Sequence, residues 1–235
     1  MDWYNKMNLT KSIDVCYSKL MPHQLRYMSS NYIGFFLIKK LYKDLSDLPP
    51  NSPLFTSLRK EDIVIEIGTN LGNLTELIAQ RVRWVYTFEP ILNTQMIAKK
   101  HIRQKNVSFY NEAMDGHSGE MQFHIVSKYS GSNSLYNQTG VHPIKTSTIK
   151  VTSLDDFIQR TNIIPTVLVS DSEGSELNIV KYSNHLPNLL FMETHSLRNG
   201  IHTRPLCKEL LIEKGYNVTE FPDRGNMIWL SATKN

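Results

Sequence analysis

From about position 61 the chain alternates short apolar runs with stretches of helical spacing. Residues 63–67, Ile-Val-Ile-Glu-Ile, are β-branched and apolar apart from one carboxylate, the pattern of a parallel strand covered on both faces. Helical spacing follows in 74–79, a second strand in 84–89, and helical spacing again from 92 to about 103. A third strand at 107–110 leads into Asn111, Glu112, Ala113, Met114 and Asp115. Residues 119–126 alternate like an exposed strand, and 147–151 can pair with them as an antiparallel insertion around the polar loop 130–134. Thr152 or Ser153 can cap a helix through Phe157, with Asp155 and Asp156 complementing its positive end. Strand 166–170, helix 175–181, strand 188–193, helix 206–213 stopped by Gly215, and a hairpin from strands near 216–221 and 227–230 complete the series. Strands alternating with helices predict an α/β fold, an open and mostly parallel sheet with helices on both faces.

Pro49, Pro50 and Pro53 punctuate the chain ahead of this series, which places a helical N-terminal extension at 1–53 and the core domain at 54–235. Within the extension, residues 32–38 are apolar and are followed by Lys39, Lys40 and Lys43. That run is too short to span a bilayer. It is expected to pack against the core as an amphipathic helix; a lid over the pocket, or membrane-surface contact through residues 32–43, are the alternatives.

Composition narrows the class. The 235 residues are 40% hydrophobic and 20% charged, enough for one sizeable core, and no repeat or low-complexity tract is visible. A net charge of +4 with scattered lysines and arginines is too weak to argue for nucleic acid by itself. Two cysteines, Cys16 and Cys207, exclude a disulfide framework and a structural zinc set. The first residues lack the basic and apolar regions of a secretory signal, so the expected location is cytoplasmic, and the five N-x-S/T sequons are read as chance.

The chemistry concentrates after the first strand, where Gly68 and Gly72 bracket a turn that opens a helix. About 20 residues on, Glu89 ends the second strand, where a carboxylate can accept both hydrogen bonds from a ribose diol. A dinucleotide fingerprint needs further glycines where this chain has Asn70 and Asn73. A side chain at Asn70 would crowd a pyrophosphate, whereas S-adenosylmethionine has none and presents an amino acid end to the turn. Glu66 supplies a charge suited to that ammonium. The reading is therefore S-adenosylmethionine ahead of NAD or FAD.

A second centre follows the fourth and fifth core strands, in Asp171-Ser172-Glu173-Gly174 and in Glu193-Thr194-His195. Groups just beyond the carboxyl ends of adjacent strands converge on one crevice. His195 or Asp171 can serve as a general base for a hydroxyl acceptor. For His195 the alternative is a structural hydrogen bond, and for Asp171 a water-mediated hold on the cofactor amine. Asp171, Glu173, Glu193 and His195 could also collect a divalent cation, but their spacing matches no dedicated ion loop and no metal is expected. Glu173 is equally explained by its place in the first turn of a helix.

With both centres in hand, the chain resembles the FkbM family of S-adenosylmethionine-dependent methyltransferases in residues 65–72, 88–90, 151–157, 171–176 and 193–195. The likeness runs from about 61 to 230 and covers none of the first sixty residues. It implies a Rossmann-like class I methyltransferase fold with a seven-stranded sheet and one antiparallel strand. It implies O-methylation of a sugar, polysaccharide or other small natural product, hence a small hydroxylated and carbohydrate-like acceptor. The cofactor-binding set is then Glu66, Gly68, Asn70, Gly72, Glu89, Pro90, Ala113, Met114 and Asp171. One departure stands out: Val169 and Ser170 precede Asp171 where the family often has a lysine and an aliphatic residue. Two rival functions remain on the same fold. An RNA ribose methyltransferase is disfavoured because no lysine adjoins Asp171 or Glu193, and a non-catalytic scaffold because the cofactor residues look usable.

Overall fold

The computed structural model describes residues 48–125, 133–136, 145–197, 200–223 and 227–234. The sequence-based expectations for residues 1–47, including the segment 32–43 and Cys16, lie outside the described residues, as does most of the loop 130–134.

Five strands make the parallel part of the main sheet or flank it: β1 (Ile63–Ile67), β2 (Trp84–Phe88), β3 (Val107–Tyr110), β7 (Val167–Ser170) and β8 (Leu189–Glu193). The hairpin β9 (Asn217–Pro222) and β10 (Ile228–Thr233) closes one edge. The order is β3-β2-β1-β7-β8-β10-β9, with β10 antiparallel to both its neighbours and the other pairs parallel. The open, mostly parallel sheet is the one the strand–helix alternation predicts, and its seven strands, one of them antiparallel, match what the family resemblance implies. The chain reverses direction of winding between β1 and β7, which creates a crevice outside their carboxyl ends.

Both faces of the sheet are covered, and strand alternation decides what each receives. Ile65, Ile67, Leu168, Leu190, Met192 and Leu230 pack against α4 (Leu154–Thr161), α5 (Glu176–Tyr182) and α6 (Thr203–Glu213). Val64, Val85, Val167, Val169, Phe191 and Trp229 face α1 (Pro53–Ser57) and α2 (Asn73–Ala79), together with buried Leu48. Between α2 and β3 runs α3 (Leu92–His101). Among the described residues no helix is long and apolar enough to cross a membrane.

A smaller sheet of β4 (Ala113–Met114), β6 (Lys145–Thr152) and β5 (Gly119–Ile125) stands beside the crevice. Its β5–β6 pair is antiparallel, as the alternating pattern predicts. The two-residue β4, parallel to β6, is not visible in the sequence, because two residues carry no periodicity. Ser153 rather than Thr152 caps α4, its hydroxyl accepting from the Asp156 amide at 3.1 Å. The last helix starts at Thr203, three residues ahead of the expected 206; Pro205 falls in its first turn, where a missing amide costs no intrahelical bond.

Candidate active site

The turn after β1 is tied to β2: the amides of Gly68 and Thr69 both donate to the Phe88 carbonyl, at 3.1 and 3.0 Å. Gly68 has φ +93°, and a β-carbon there would stand 2.1 Å from the Asp171 carbonyl oxygen. The Asp171 amide in turn donates to the Ile67 carbonyl at 2.9 Å. Gly68 is therefore required where the loops leaving β1 and β7 touch, and it also lines the cleft. Asn70 holds a left-handed conformation, φ +47°, which asparagine tolerates better than most residues.

Glu89 is presented to the cleft by the backbone. Its Oε2 accepts from the Asn70 amide at 3.0 Å and its Oε1 from the Ile91 amide at 2.9 Å. Asn111 fastens the loop that follows β2, donating to the carbonyls of Glu89 and Pro90, each at 2.9 Å. Each Glu89 oxygen keeps a second lone pair for a ligand. Burial pushes the Glu89 carboxyl up to about 7, against the two amides that favour its charge.

Glu66 occupies a different place from the ligand-facing one its position suggests. It points to the α2 side of the sheet, 1% exposed, and its Oε2 accepts from the hydroxyls of Thr75 and Thr87, both at 2.6 Å. Burial raises its carboxyl to about 7, and Oε1 has no hydrogen-bond partner among the described residues. Gly72 also stands back from the cleft. It opens α2 at φ +83°, and a β-carbon there would meet the Ile102 side chain at 2.8 Å, so its bareness serves the packing of the segment after α3.

The residues that line the cleft include Gly68, Asn70, Glu89, Pro90, Ala113, Met114 and Asp171 from the expected cofactor set. Phe123, Asn133 and Leu135 join them as a roof from the smaller sheet and its loop. The inward alternation of Met121, Phe123 and Ile125 along β5 was the available signal for Phe123; nothing local marks Leu135. Ser134 locks this roof to the second centre, its hydroxyl donating to the Glu173 carbonyl. The Tyr136 hydroxyl donates to Asp115 at 2.6 Å and accepts from Asn178 at 2.6 Å, so this ring is held in the protein by its polar end.

Beyond β7 and β8 four carboxylates gather on one imidazole. Nε2 of His195 lies 3.3 Å from Glu173 Oε2 and 3.7 Å from both Asp171 Oδ1 and Glu193 Oε1, while Nδ1 lies 3.1 Å from Glu176 Oε1. Glu176 is fully buried and is the anchor. Its Oε1 also accepts from the His195 amide at 3.0 Å and the Thr203 hydroxyl at 2.6 Å, and its Oε2 from the Gly174 amide at 2.8 Å. Burial opposes that charge, but His195 and these hydrogen bonds bring the Glu176 carboxyl down to about 2. Burial likewise works against a proton on His195, yet the charges of Glu173, Glu176 and Glu193 outweigh it and hold the imidazole well above its usual range. Sequence reasoning reached His195 without Thr203, because the contact joins residues brought together only by the fold.

Of the two candidate bases, His195 is enclosed by carboxylates, whereas Asp171 is a quarter exposed and lines the cleft.

By sequence, no protein-family pattern and no curated protein matches the chain. Solved structures do match in fold. The methyltransferase FkbM of Methylobacillus flagellatus KT aligns with a TM-score of 0.50 and 17% identity over 75% of this chain and 45% of that one. This chain thus spans under half the length of that protein. Fibrillarin of Aeropyrum pernix, crystallised with S-adenosyl-L-methionine, gives 0.48 and 8% over 74% and 67%. An rRNA methylase of Streptococcus thermophilus gives 0.47 and 10% over 78% and 97%. At this identity the FkbM likeness establishes a shared fold, the Rossmann-like class I methyltransferase fold.

Proposed function

We propose that the chain is an S-adenosylmethionine-dependent methyltransferase that acts on a hydroxyl of a sugar or another small hydroxylated product. The observation that carries this reading is Glu89, a carboxylate held by the Asn70 and Ile91 amides in a cleft that Asp171 also lines. Two lone pairs so aimed suit the two hydroxyls of a ribose. The Asn70 side chain stands where a pyrophosphate would need bare backbone, which favours the sulfonium cofactor over a dinucleotide.

Methyl transfer from a sulfonium is an in-line displacement. The oxygen–methyl bond forms as the sulfur–methyl bond breaks, sulfur takes the electron pair, and the acceptor hydroxyl loses its proton. The protein's main task is alignment, which contributes up to roughly 7–11 kcal/mol. Phe123 and Leu135, which line the cleft from the smaller sheet and its loop, offer apolar surface to the adenosyl group. Asp171, fixed by its amide to β1, takes the acceptor proton, a step worth about 10²–10⁴-fold. Glu66 acts at one remove, since its grip on Thr75 and Thr87 holds the start of α2 against β2.

The test is transfer of radiolabel from [methyl-³H]S-adenosylmethionine to a panel of sugars, glycosides and phenolic glycosides, with structured RNA as a separate arm. Label in the carbohydrate arm, lost in Asp171→Asn, supports the proposal. Label in RNA alone would overturn the acceptor class, and label in neither with intact cofactor binding would favour the scaffold alternative.

A further inference from the structure

The cluster at the ends of β7 and β8 has features that a caged imidazolium does not require. Asp171, Glu193 and His195 each offer one donor atom, and these atoms lie within 4.8 Å of one another. Two of the Nε2–carboxylate separations are 3.7 Å, too long for hydrogen bonds. Two ligands of one small cation, each at ~2.1 Å, stand ~3.0–3.5 Å apart, close to the 3.3 and 3.7 Å that separate His195 Nε2 from these carboxylates. The orientation of the ring is the second sign. Nδ1 faces Glu176, a fully buried carboxylate that the Thr203 hydroxyl and the Gly174 amide fix in turn, so Nε2 is turned toward Asp171, Glu173 and Glu193. A carboxylate that accepts the far ring N–H is the usual support of a metal-ligating histidine, where it sets the tautomer.

We propose that Asp171, Glu193 and His195, with Glu173 at the rim, bind one divalent cation of the Mn²⁺ type. One imidazole nitrogen among carboxylate oxygens suits manganese better than magnesium, which prefers oxygen alone. Asp171 and Glu173 line the cleft as well, so the cation adjoins the space that the acceptor enters. Its role rests on the methyltransferase reading: it would take acceptor hydroxyls as ligands and lower their pKa, so that the proton passes more readily to the Asp171 oxygen the cation does not hold. The substrate class narrows accordingly to acceptors with two adjacent oxygens, such as vicinal diols. Binding of the cation itself does not depend on that reading.

The experiment is titration of chelator-treated full-length protein with Mn²⁺, followed by electron paramagnetic resonance. One saturable Mn²⁺ per chain, with ¹⁴N hyperfine coupling in the pulsed spectrum of the unaltered protein, is expected. Glu193→Gln should weaken it roughly tenfold or more, and Glu176→Gln roughly 10–100-fold through the loosened ring. Glu220→Gln, a surface change at the Lys208 ion pair, should leave it unchanged. Absence of saturable binding, bound Mn²⁺ without ¹⁴N coupling, or equal affinity in Glu193→Gln would overturn the site. The same samples titrated with S-adenosylhomocysteine separate the two claims. Nucleoside binding without Mn²⁺ binding refutes the cation site alone, and Mn²⁺ binding without nucleoside binding refutes the cofactor reading alone.

Discussion

On the β1–β2 side of the cleft a single carboxylate, Glu89, is gripped by backbone amides, whereas on the β7–β8 side four carboxylates share one imidazole. The first arrangement is local: a turn, a strand end and one acidic residue about twenty positions apart. The second draws on residues from 171 to 203, and its anchor, Glu176, is satisfied by groups from three segments. Backbone donors hold a ligand-binding group rigidly without extra charge. Opposed side-chain charges hold one another, and the balance among them can be changed by a proton or a cation. On the proposed reading, one side recognises the cofactor and the other responds to what enters.

Gly68 is where the two sides meet, and changing it should break both. Gly68→Ala places a β-carbon against the Asp171 carbonyl at a left-handed φ, and should cost about 3 kcal/mol or more. Gly119→Ala, which meets nothing within 4 Å, serves as the control for backbone strain alone. Denaturant unfolding of the two variants checks this, and equal midpoints would show that the loops do not depend on that contact.

Glu89→Ala should damage only the recognition side. Loss of two hydrogen bonds to a charged group should lower S-adenosylmethionine affinity about 100-fold while leaving Mn²⁺ affinity unchanged. Calorimetry on the same preparation reads both. A parallel loss of the two affinities would mean that the sides are not separable.

Acidity sharpens the comparison with a smaller effect. With its carboxyl pushed up to about 7, Glu89 is charged above that pH and protonated below it. On the proposed reading the charged form accepts both ribose hydroxyls, so affinity should be flat above pH 8 and fall by about tenfold per unit below 7. In Glu89→Gln this pH dependence should disappear, and its persistence would assign it to another group.

The smallest change lies outside both sides. Ser153→Ala removes the cap of α4 and should cost about 1 kcal/mol in thermal unfolding, with cofactor affinity unaltered.

What could be read from the sequence follows the same division. The main strands were visible because β-branched runs bounded by turns report burial locally, and Glu89 because its distance from Gly68 is set by one βαβ unit. β4 was not, since two residues acquire strand character only by pairing with β6. The glycines were found for a reason that is incomplete: Gly68 answers to the Asp171 carbonyl as well as to the cleft, and Gly72 to Ile102. Glu66 was placed by its position in the strand, but alternation turns its side chain to the α2 face, where two threonines meet it. His195 stands just beyond a strand end, as its place in the sequence predicts, yet its charge environment depends on Glu173, Glu176 and Glu193, whose convergence no spacing rule contains.

The most direct test of the central claim is calorimetric titration with S-adenosylmethionine, S-adenosylhomocysteine and NAD, run on the unaltered protein and on Glu89→Ala. Saturable binding of both sulfur nucleosides, abolished or weakened about 100-fold in the variant, with no heat from NAD, is the predicted result. Binding of NAD alone, or nucleoside binding indifferent to Glu89, would contradict it.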